Sequence, residues 1–266
     1  MLPPLLSAAT LDAVLALAEQ AGAAILEVYR GADWAVRHKA DRSPLTKADE
    51  RAHAVLEQGL AALTPGIPVV SEEDEASWAR LRGAGACWLI DPLDGTREFL
   101  ERNDEFTVNV AWVVEGRARW GVVQAPALGV LYWGGAGLGA WRRQGGETAA
   151  IHCSALPADG RLRVLASRSH GTPETQAWIE GLGPHRLMQA GSSLKFCRIA
   201  EGAADVYPRL GPTCEWDTAA AQAVLEGAGG AVRTLDGQAL GYGKADVRNP
   251  HFVAASAAWW RSRVQG

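Results

Sequence analysis

Asp91 and Asp94 stand at the end of the apolar run Trp88-Leu89-Ile90, separated by Pro92 and Leu93 and followed at once by Gly95-Thr96. Two carboxylates held close repel each other and resist ionisation unless a cation lies between them. A hard divalent ion such as Mg²⁺ takes oxygen ligands of this kind. Pro92 stiffens the backbone so that Asp94 can turn back towards Asp91. Arg97-Glu98-Phe99-Leu100 reads as the start of a helical turn, which would leave backbone N–H groups around Gly95 and Thr96 free to meet a phosphate. The same stretch also reads as an Asp-rich turn capping a helix, a common use of an Asp-Gly pair.

Three other places bring acids to the ends of elements. Val69-Val70-Ser71 runs into Glu72-Glu73-Asp74, and Glu215-Trp216-Asp217 opens an apolar helical stretch. Thr46-Lys47-Ala48-Asp49 has the form of a capping box. Each also has a plain structural reading: turn charges in water for Glu72 and Glu73, a helix-dipole acid for Asp217, a cap for Thr46 and Asp49.

The elements that must position these acids can be read from periodicity. Leu11, Val14, Leu15, Ala18, Ala21, Ile25 and Val28 recur at steps of three and four, which predicts a first helix; Ala52, Val55, Leu56 and Leu63 predict a second. Short strand-like runs follow at Val69-Val70, 87–90, 106–114, 119–124 and 130–133, with Glu115-Gly116-Arg117 as a hairpin turn, so a largely antiparallel sheet is expected. The glycines from Gly134 to Gly139 lack dinucleotide-loop spacing and read as a glycine-rich hairpin. Beyond Pro157 a strand at 162–166 and helices at 173–182, 194–203 and 217–225 give an α/β texture. Two halves are expected, 1–157 as α+β with the acidic motifs and 158–266 as α/β, sharing a cleft.

At 266 residues and 48% hydrophobic the chain can bury a large core. A net charge of -4 argues against a broad nucleic-acid surface, which would need clustered Lys and Arg. The N-terminal stretch lacks the basic start of a signal peptide, and Asp12, Glu19 and Gln20 interrupt its apolar residues, so it is read as a helix of the mature protein. No uninterrupted apolar run approaches the roughly 20 residues of a bilayer span. The four cysteines are scattered without CxxC or zinc spacing and are read as reduced thiols.

The acids in the order Asp49, Glu72-Glu73, Asp91-Pro92-Leu93-Asp94-Gly95-Thr96 and Trp216-Asp217 resemble the inositol monophosphatase superfamily, lithium-sensitive Mg²⁺-dependent phosphomonoesterases. The likeness extends to Asn249-Pro250-His251-Phe252. Ser43-Pro44-Leu45-Thr46, 94–99, 102–109 and Gly191-Ser192-Ser193-Leu194-Lys195-Phe196 are similar to the branch of bacterial 3'(2'),5'-bisphosphate nucleotidases of the CysQ type. Ser167-Arg168-Ser169-His170 and 205–209 share that likeness, while Arg97 stands where several relatives have Lys.

This resemblance implies a layered αβαβα sandwich of the inositol monophosphatase and fructose-1,6-bisphosphatase type. It implies two or three Mg²⁺ ions held by Glu72, Asp91, Asp94, Asp217 and the carbonyl of Leu93, with Glu73 acting through water. Asp49 beside Thr96 would orient or deprotonate the attacking water, with Glu72 sharing that work. Implied substrate contacts are Gly95, Thr96, Arg97, Gly191, Ser192, Ser193, Lys195 and Arg209; Lys195 also reads as an exposed helix lysine, and the eleven tryptophans as either stacking surface or core. His170 is left out of the catalytic set.

The implied reaction is hydrolysis of 3'-phosphoadenosine 5'-phosphate to AMP and phosphate, within sulfur metabolism. An inositol or sugar monophosphatase is the enzymatic rival, and a noncatalytic metal-dependent nucleotide-binding regulator the rival of another class. The expected partner is thus a small bisphosphonucleotide, not a nucleic acid. The expected location is the cytoplasm, with peripheral attachment to the inner membrane left open; a homodimer rests on the resemblance alone.

Overall fold

The structure, a computed structural model, describes residues 6–31, 34–38, 44–168 and 171–264. Of the sequence motifs, Ser43, Ser169 and His170 lie outside the described residues. The first part of the chain runs α1 (Ala8–Arg30), β1 (Arg37–His38), β2 (Pro44–Leu45), α2 (Lys47–Leu63), β3 (Val69–Ser71), a 3-10 turn (Glu75–Arg80), β4 (Ala86–Asp94) and α3 (Thr96–Leu100). An antiparallel series follows: β5 (Thr107–Val114), β6 (Arg117–Ala125), β7 (Val130–Gly135), β8 (Gly139–Gln144) and β9 (Glu147–Ala150). The remainder is β10 (Leu162–Ser167), α4 (Pro173–Glu180), β11 (His185–Ala190), α5 (Leu194–Ala200), β12 (Val206–Arg209), α6 (Ala219–Gly227), β13 (Gly230–Thr234), β14 (Phe252–Ser256) and α7 (Ala257–Val264).

Strands β3 to β9 form one sheet in sequence order, antiparallel except where β3 joins β4 in parallel. The second sheet has the order β11-β10-β12-β14-β13 and is mixed. Alternation along β4 shows how the layers arise. Trp88 and Ile90 pack with Val14, Ala18, Ile25, Leu56 and Leu60 of α1 and α2, whereas Cys87 and Leu89 belong to the core that holds α5, α6 and the inner face of the second sheet. Val164, Val206 and Val253 pack outwards against Ile179 of α4 and Trp259 of α7. The layers are therefore helices, seven strands, helices, five strands and helices, the expected αβαβα sandwich.

Among the described residues α1 is the one helix long and apolar enough to cross a membrane, a feature the reading of uninterrupted apolar runs passed over. Its Val14, Ala18, Ala21 and Ile25 are instead fully buried against α2 and the large sheet. The glycine-rich stretch is the β7–β8 hairpin, as expected.

Helix α6, which follows Asp217, lies directly on the large sheet. At Gly121 of β6 an added Cβ would sit 2.3 Å from the carbonyl oxygen of Ala220. Backbone therefore packs on backbone there. Gly121→Ala should lower the melting temperature by roughly 2–12 °C, since overpacking costs about 1–3 kcal/mol. Gly85→Ala, where a Cβ meets nothing within 4 Å, should leave it unchanged. Scanning calorimetry of the two variants checks this, and equal melting points would contradict the close approach.

Candidate functional site

The acids gather where β3 and β4 end and α6 begins. Asp91 pairs with Asn109 and Asp94 with Thr107, so three steps along β4 match two along β5. That one-residue bulge at Pro92–Leu93 resets the alternation. Asp91 keeps the parity of Cys87 and Leu89, Leu93 packs on the opposite face with Trp88, and Asp94 returns to the inner face. Without the extra residue Asp91 and Asp94 would point to opposite faces of the sheet.

Parallel pairing of β3 with β4 sets Glu72 beside the same rim, its N–H donating to the Ile90 carbonyl at 3.2 Å. Asp217 arrives from the turn ahead of α6, where its Oδ2 accepts from the Cys214 N–H at 2.8 Å. One carboxylate oxygen from each of Glu72, Asp91 and Asp217 lies within 4.8 Å of the others. Asp91 is buried; its Oδ1 accepts from the Leu93 N–H, and its Oδ2 has no hydrogen-bond partner.

Burial, then the charges of Glu72, Asp94 and Asp217, holds the Asp91 carboxyl well above the usual carboxylate range. Asp217 is raised by desolvation and then by Asp94 and Glu72. Asp94 is pushed up to about 6 by burial, against the pull of Lys195. An orphaned buried oxygen, an all-carboxylate donor set and unrelieved repulsion together fit a hard divalent cation.

Asp94 stands beside the three-oxygen cluster rather than in it. Its Oδ2 accepts from the Ser193 N–H at 2.6 Å, Asn109 Nδ2 at 3.3 Å and Thr107 Oγ1 at 3.4 Å. Thr107 and Asn109 had been given no role from sequence; their signal is the Thr-Val-Asn alternation that turns both polar groups inward on β5. Glu73, whose N–H donates to Ser71 Oγ, also lies outside the cluster. Asp49 closes the capping box of α2, accepting from the Thr46 N–H at 2.7 Å and Thr46 Oγ1 at 2.6 Å. Thr96 Oγ1 donates to the Leu93 carbonyl at 3.4 Å.

A cavity of about 220 Å³ adjoins the acids and shares Asp94 and Asp217 with them. Gly95, Thr96 and the exposed Arg97 line it together with Ser192, Lys195 and Arg209 from the second half of the sequence. Gly95 has φ +89°, a conformation glycine adopts without strain. Lys195 is not the exposed helix lysine that its residue type allowed: it is 4% exposed, with Nζ donating to the Ala190 carbonyl at 3.2 Å. Burial lowers it to about 8, partly opposed by Asp94. The Oγ of Ser192 and the Nε of Arg209 are buried without hydrogen-bond partners.

Gly191 and Ser193 stand behind the wall instead of lining it. The Gly191 N–H donates to Glu105 Oε2 at 2.8 Å, and Ser193 Oγ donates to Asn109 Oδ1 at 2.8 Å. The aromatic rings on the cavity are Phe196, Tyr207 and Phe252, and no tryptophan lines it. All four cysteines are free thiols.

Comparison with known proteins agrees with this architecture. The model of the inositol monophosphatase family matches residues 7–264. A 3'(2'),5'-bisphosphate nucleotidase CysQ of Escherichia coli O157:H7 is 47% identical over 234 residues, covering 87% of this chain and 93% of that protein. A protein of the same name from Haemophilus influenzae is 33% identical and covers 96% of each chain. The crystal structure of CysQ from Bacteroides thetaiotaomicron superposes with a TM-score of 0.82 at 38% identity, covering 92% of this chain and 97% of that one. With its fold, its acidic motifs and nearly its whole length matched, the chain belongs to the inositol monophosphatase family.

Proposed function

We propose that this chain is a magnesium-dependent 3'(2'),5'-bisphosphate nucleotidase that hydrolyses 3'-phosphoadenosine 5'-phosphate to AMP and phosphate. The observation that carries the reading is the adjacency of two features: an acidic cluster fit for a cation, and a pocket lined by Lys195, Arg209 and Ser192 that shares Asp217 with the cluster. Relatives at up to 47% identity bear that activity in their names.

In this reading residues 1–157 supply Glu72, Asp91, Asp94 and the Leu93 carbonyl to two or three Mg²⁺ ions, with Glu73 acting through water. Residues 158–266 supply Asp217 and the substrate wall. When bound, Mg²⁺ contributes Lewis acidity, drawing charge from phosphate oxygens and acidifying water. Asp49 and Thr96 orient the attacking water, and an Asp49 carboxylate oxygen takes its proton. The water oxygen bonds to phosphorus as the phosphorus–O3' bond breaks, and the ribose oxygen takes a proton from solvent water to leave as a hydroxyl. Lys195 and Arg209 hold the second phosphate, Ser192 donates its unpartnered hydroxyl, and Phe196 and Tyr207 offer apolar surface to the nucleoside. No phosphoenzyme is needed. The Cys214 thiol, close to Asp217, is kept protonated by burial and by the carboxylates around it.

Phosphate release from 3'-phosphoadenosine 5'-phosphate and from inositol 1-phosphate, each with Mg²⁺, tests the assignment. The first substrate is expected to give the higher kcat/KM by about 10²-fold, the worth of a buried charge contact to a second phosphate. A preference for inositol 1-phosphate would replace this reading with an inositol phosphatase, and turnover of neither would leave a binding protein.

A further inference from the structure

The turn that carries Asp217 is held by a polar chain that none of the site residues explains. Glu215 is fully buried, and a buried carboxylate is costly unless its charge and lone pairs are met. It accepts from the Gly243 N–H at 2.6 Å, the Lys244 N–H at 3.0 Å and Lys244 Nζ at 2.5 Å. Lys244 Nζ also donates to the Gly241 carbonyl at 3.0 Å and to Asn249 Oδ1 at 3.3 Å. The amide nitrogen of Asn249 then reaches the Cys214 carbonyl at 2.6 Å, Thr218 Oγ1 at 3.1 Å and Thr213 Oγ1 at 3.3 Å. Its backbone N–H donates to the Thr213 carbonyl at 2.8 Å.

Asn249 thus grips the turn on both sides of Asp217. The Cys214 peptide it holds is the same residue whose N–H fixes Asp217 Oδ2 and whose carbonyl accepts from the Asp217 N–H. Rotation of the Asp217 carboxylate is set by the Cys214 N–H of the 213–214 peptide, whose Thr213 carbonyl takes the Asn249 backbone N–H, while the Asn249 side chain fixes the next peptide through the Cys214 carbonyl that also holds the Asp217 N–H. Segment 241–249 contains neither helix nor strand and is itself pinned by Glu215 and Lys244. A ligand carboxylate that must face Glu72 and Asp91 against their repulsion needs such a restraint, because nothing in its own helix supplies one: α6 begins two residues later, and its N-cap Thr218 makes no capping bond.

We propose that Asn249, backed by the Lys244–Glu215 pair, is a positioning residue for Asp217 and sets the affinity of the acidic cluster for its divalent cation. The proposal rests on the metal-dependent reading above.

The test is titration calorimetry of Mg²⁺ into metal-freed wild-type, Asn249→Ala and Lys244→Met proteins, together with the Mg²⁺ dependence of phosphate release. Loss of the partner that orients a metal ligand costs about 10–100-fold in affinity. Asn249→Ala should therefore raise both the Mg²⁺ Kd and the concentration for half-maximal rate by about 10-fold or more, with kcat at saturating Mg²⁺ changed far less. Lys244→Met should move the same way by a smaller factor, and Lys244→Arg should restore most of the loss. Asp246→Ala, which removes the exposed pair with Arg248 and the acceptor of the Arg248 N–H but none of the contacts of Asn249, should leave Mg²⁺ affinity unchanged.

A folded Asn249→Ala protein with wild-type Mg²⁺ affinity overturns the proposal, as does a Mg²⁺ Kd altered as much by Asp246→Ala. Should Asn249→Ala fail to fold, Lys244→Met decides by the same criterion. Failure of wild-type protein to bind Mg²⁺ at all would instead strike the metal-dependent reading itself.

Discussion

Asp91→Asn is expected to lower hydrolysis by about 10³-fold or more while raising the melting temperature of the metal-free protein. The loss follows from charge. Asp91 is the member of the cluster with a buried, unpartnered oxygen, and a neutral amide there weakens the cation's hold and its share of transition-state stabilisation, worth several kcal/mol. The gain follows from the same charge: the Asp91 carboxyl is held well above its ordinary range by burial and by Glu72, Asp94 and Asp217. A carboxyl whose folded pKa is raised stabilises the fold only while protonated, and that contribution is lost as pH rises from the unfolded value near 4 through the folded one. At neutral pH the metal-free wild type carries the penalty and the Asn variant does not. The acceptor for the Leu93 N–H survives as the amide oxygen. Melting curves in chelator should show the variant more stable at about pH 7 and equal to wild type near pH 4. Retained turnover, or a lower melting point at neutral pH, would refute the role assigned to this carboxylate.

The acids themselves were legible because each ends a strongly patterned element. Val69-Val70 and Trp88-Leu89-Ile90 are buried strand residues, and the two helices ahead of them follow the predicted apolar faces. What sequence could not state was the device that makes Asp91 and Asp94 face the same way. Pro92 suggested a turn, whereas the structure uses a bulge within β4, visible only through the register with β5. Lys195 was ambiguous for a related reason. Leu194, Phe196, Cys197 and Ile199 bury nearly every side of α5 between two sheets, so only Arg198 reaches water. A helix read alone always has an outside. Strands β9 and β11 to β14 escaped notice: β9 is exposed throughout, β11 is an edge strand carrying His185, Arg186 and Gln189, and β12, β13 and β14 are runs of only four or five residues. The Glu215–Lys244–Asn249 chain joins residues about thirty positions apart, and no local pattern announces such a contact.

Lys195→Met is expected to cut kcat/KM on a bisphosphonucleotide by about 10²-fold, because removing one partner of a buried charge contact costs about 2–5 kcal/mol. Methionine keeps the shape of the stem and removes the ammonium, so lost packing contributes little. Wild-type kcat/KM reports groups of the free enzyme. It should therefore fall as pH rises through about 8, where Lys195 gives up its proton. Asp94 is what holds that proton in place against burial. A cation bound to Asp94 withdraws this support, so the fall should begin at lower pH as Mg²⁺ is raised. In Lys195→Met the alkaline limb should disappear, leaving a flat profile at the reduced rate. The sign for stability is opposite to that for function: a lysine whose folded pKa is depressed opposes folding while charged, and the penalty lifts only as pH rises above the folded value. The variant should accordingly melt higher than wild type at neutral pH and lose that advantage at alkaline pH. An alkaline limb that persists without Lys195 would move the titration to another group and leave the second phosphate to Arg209 alone.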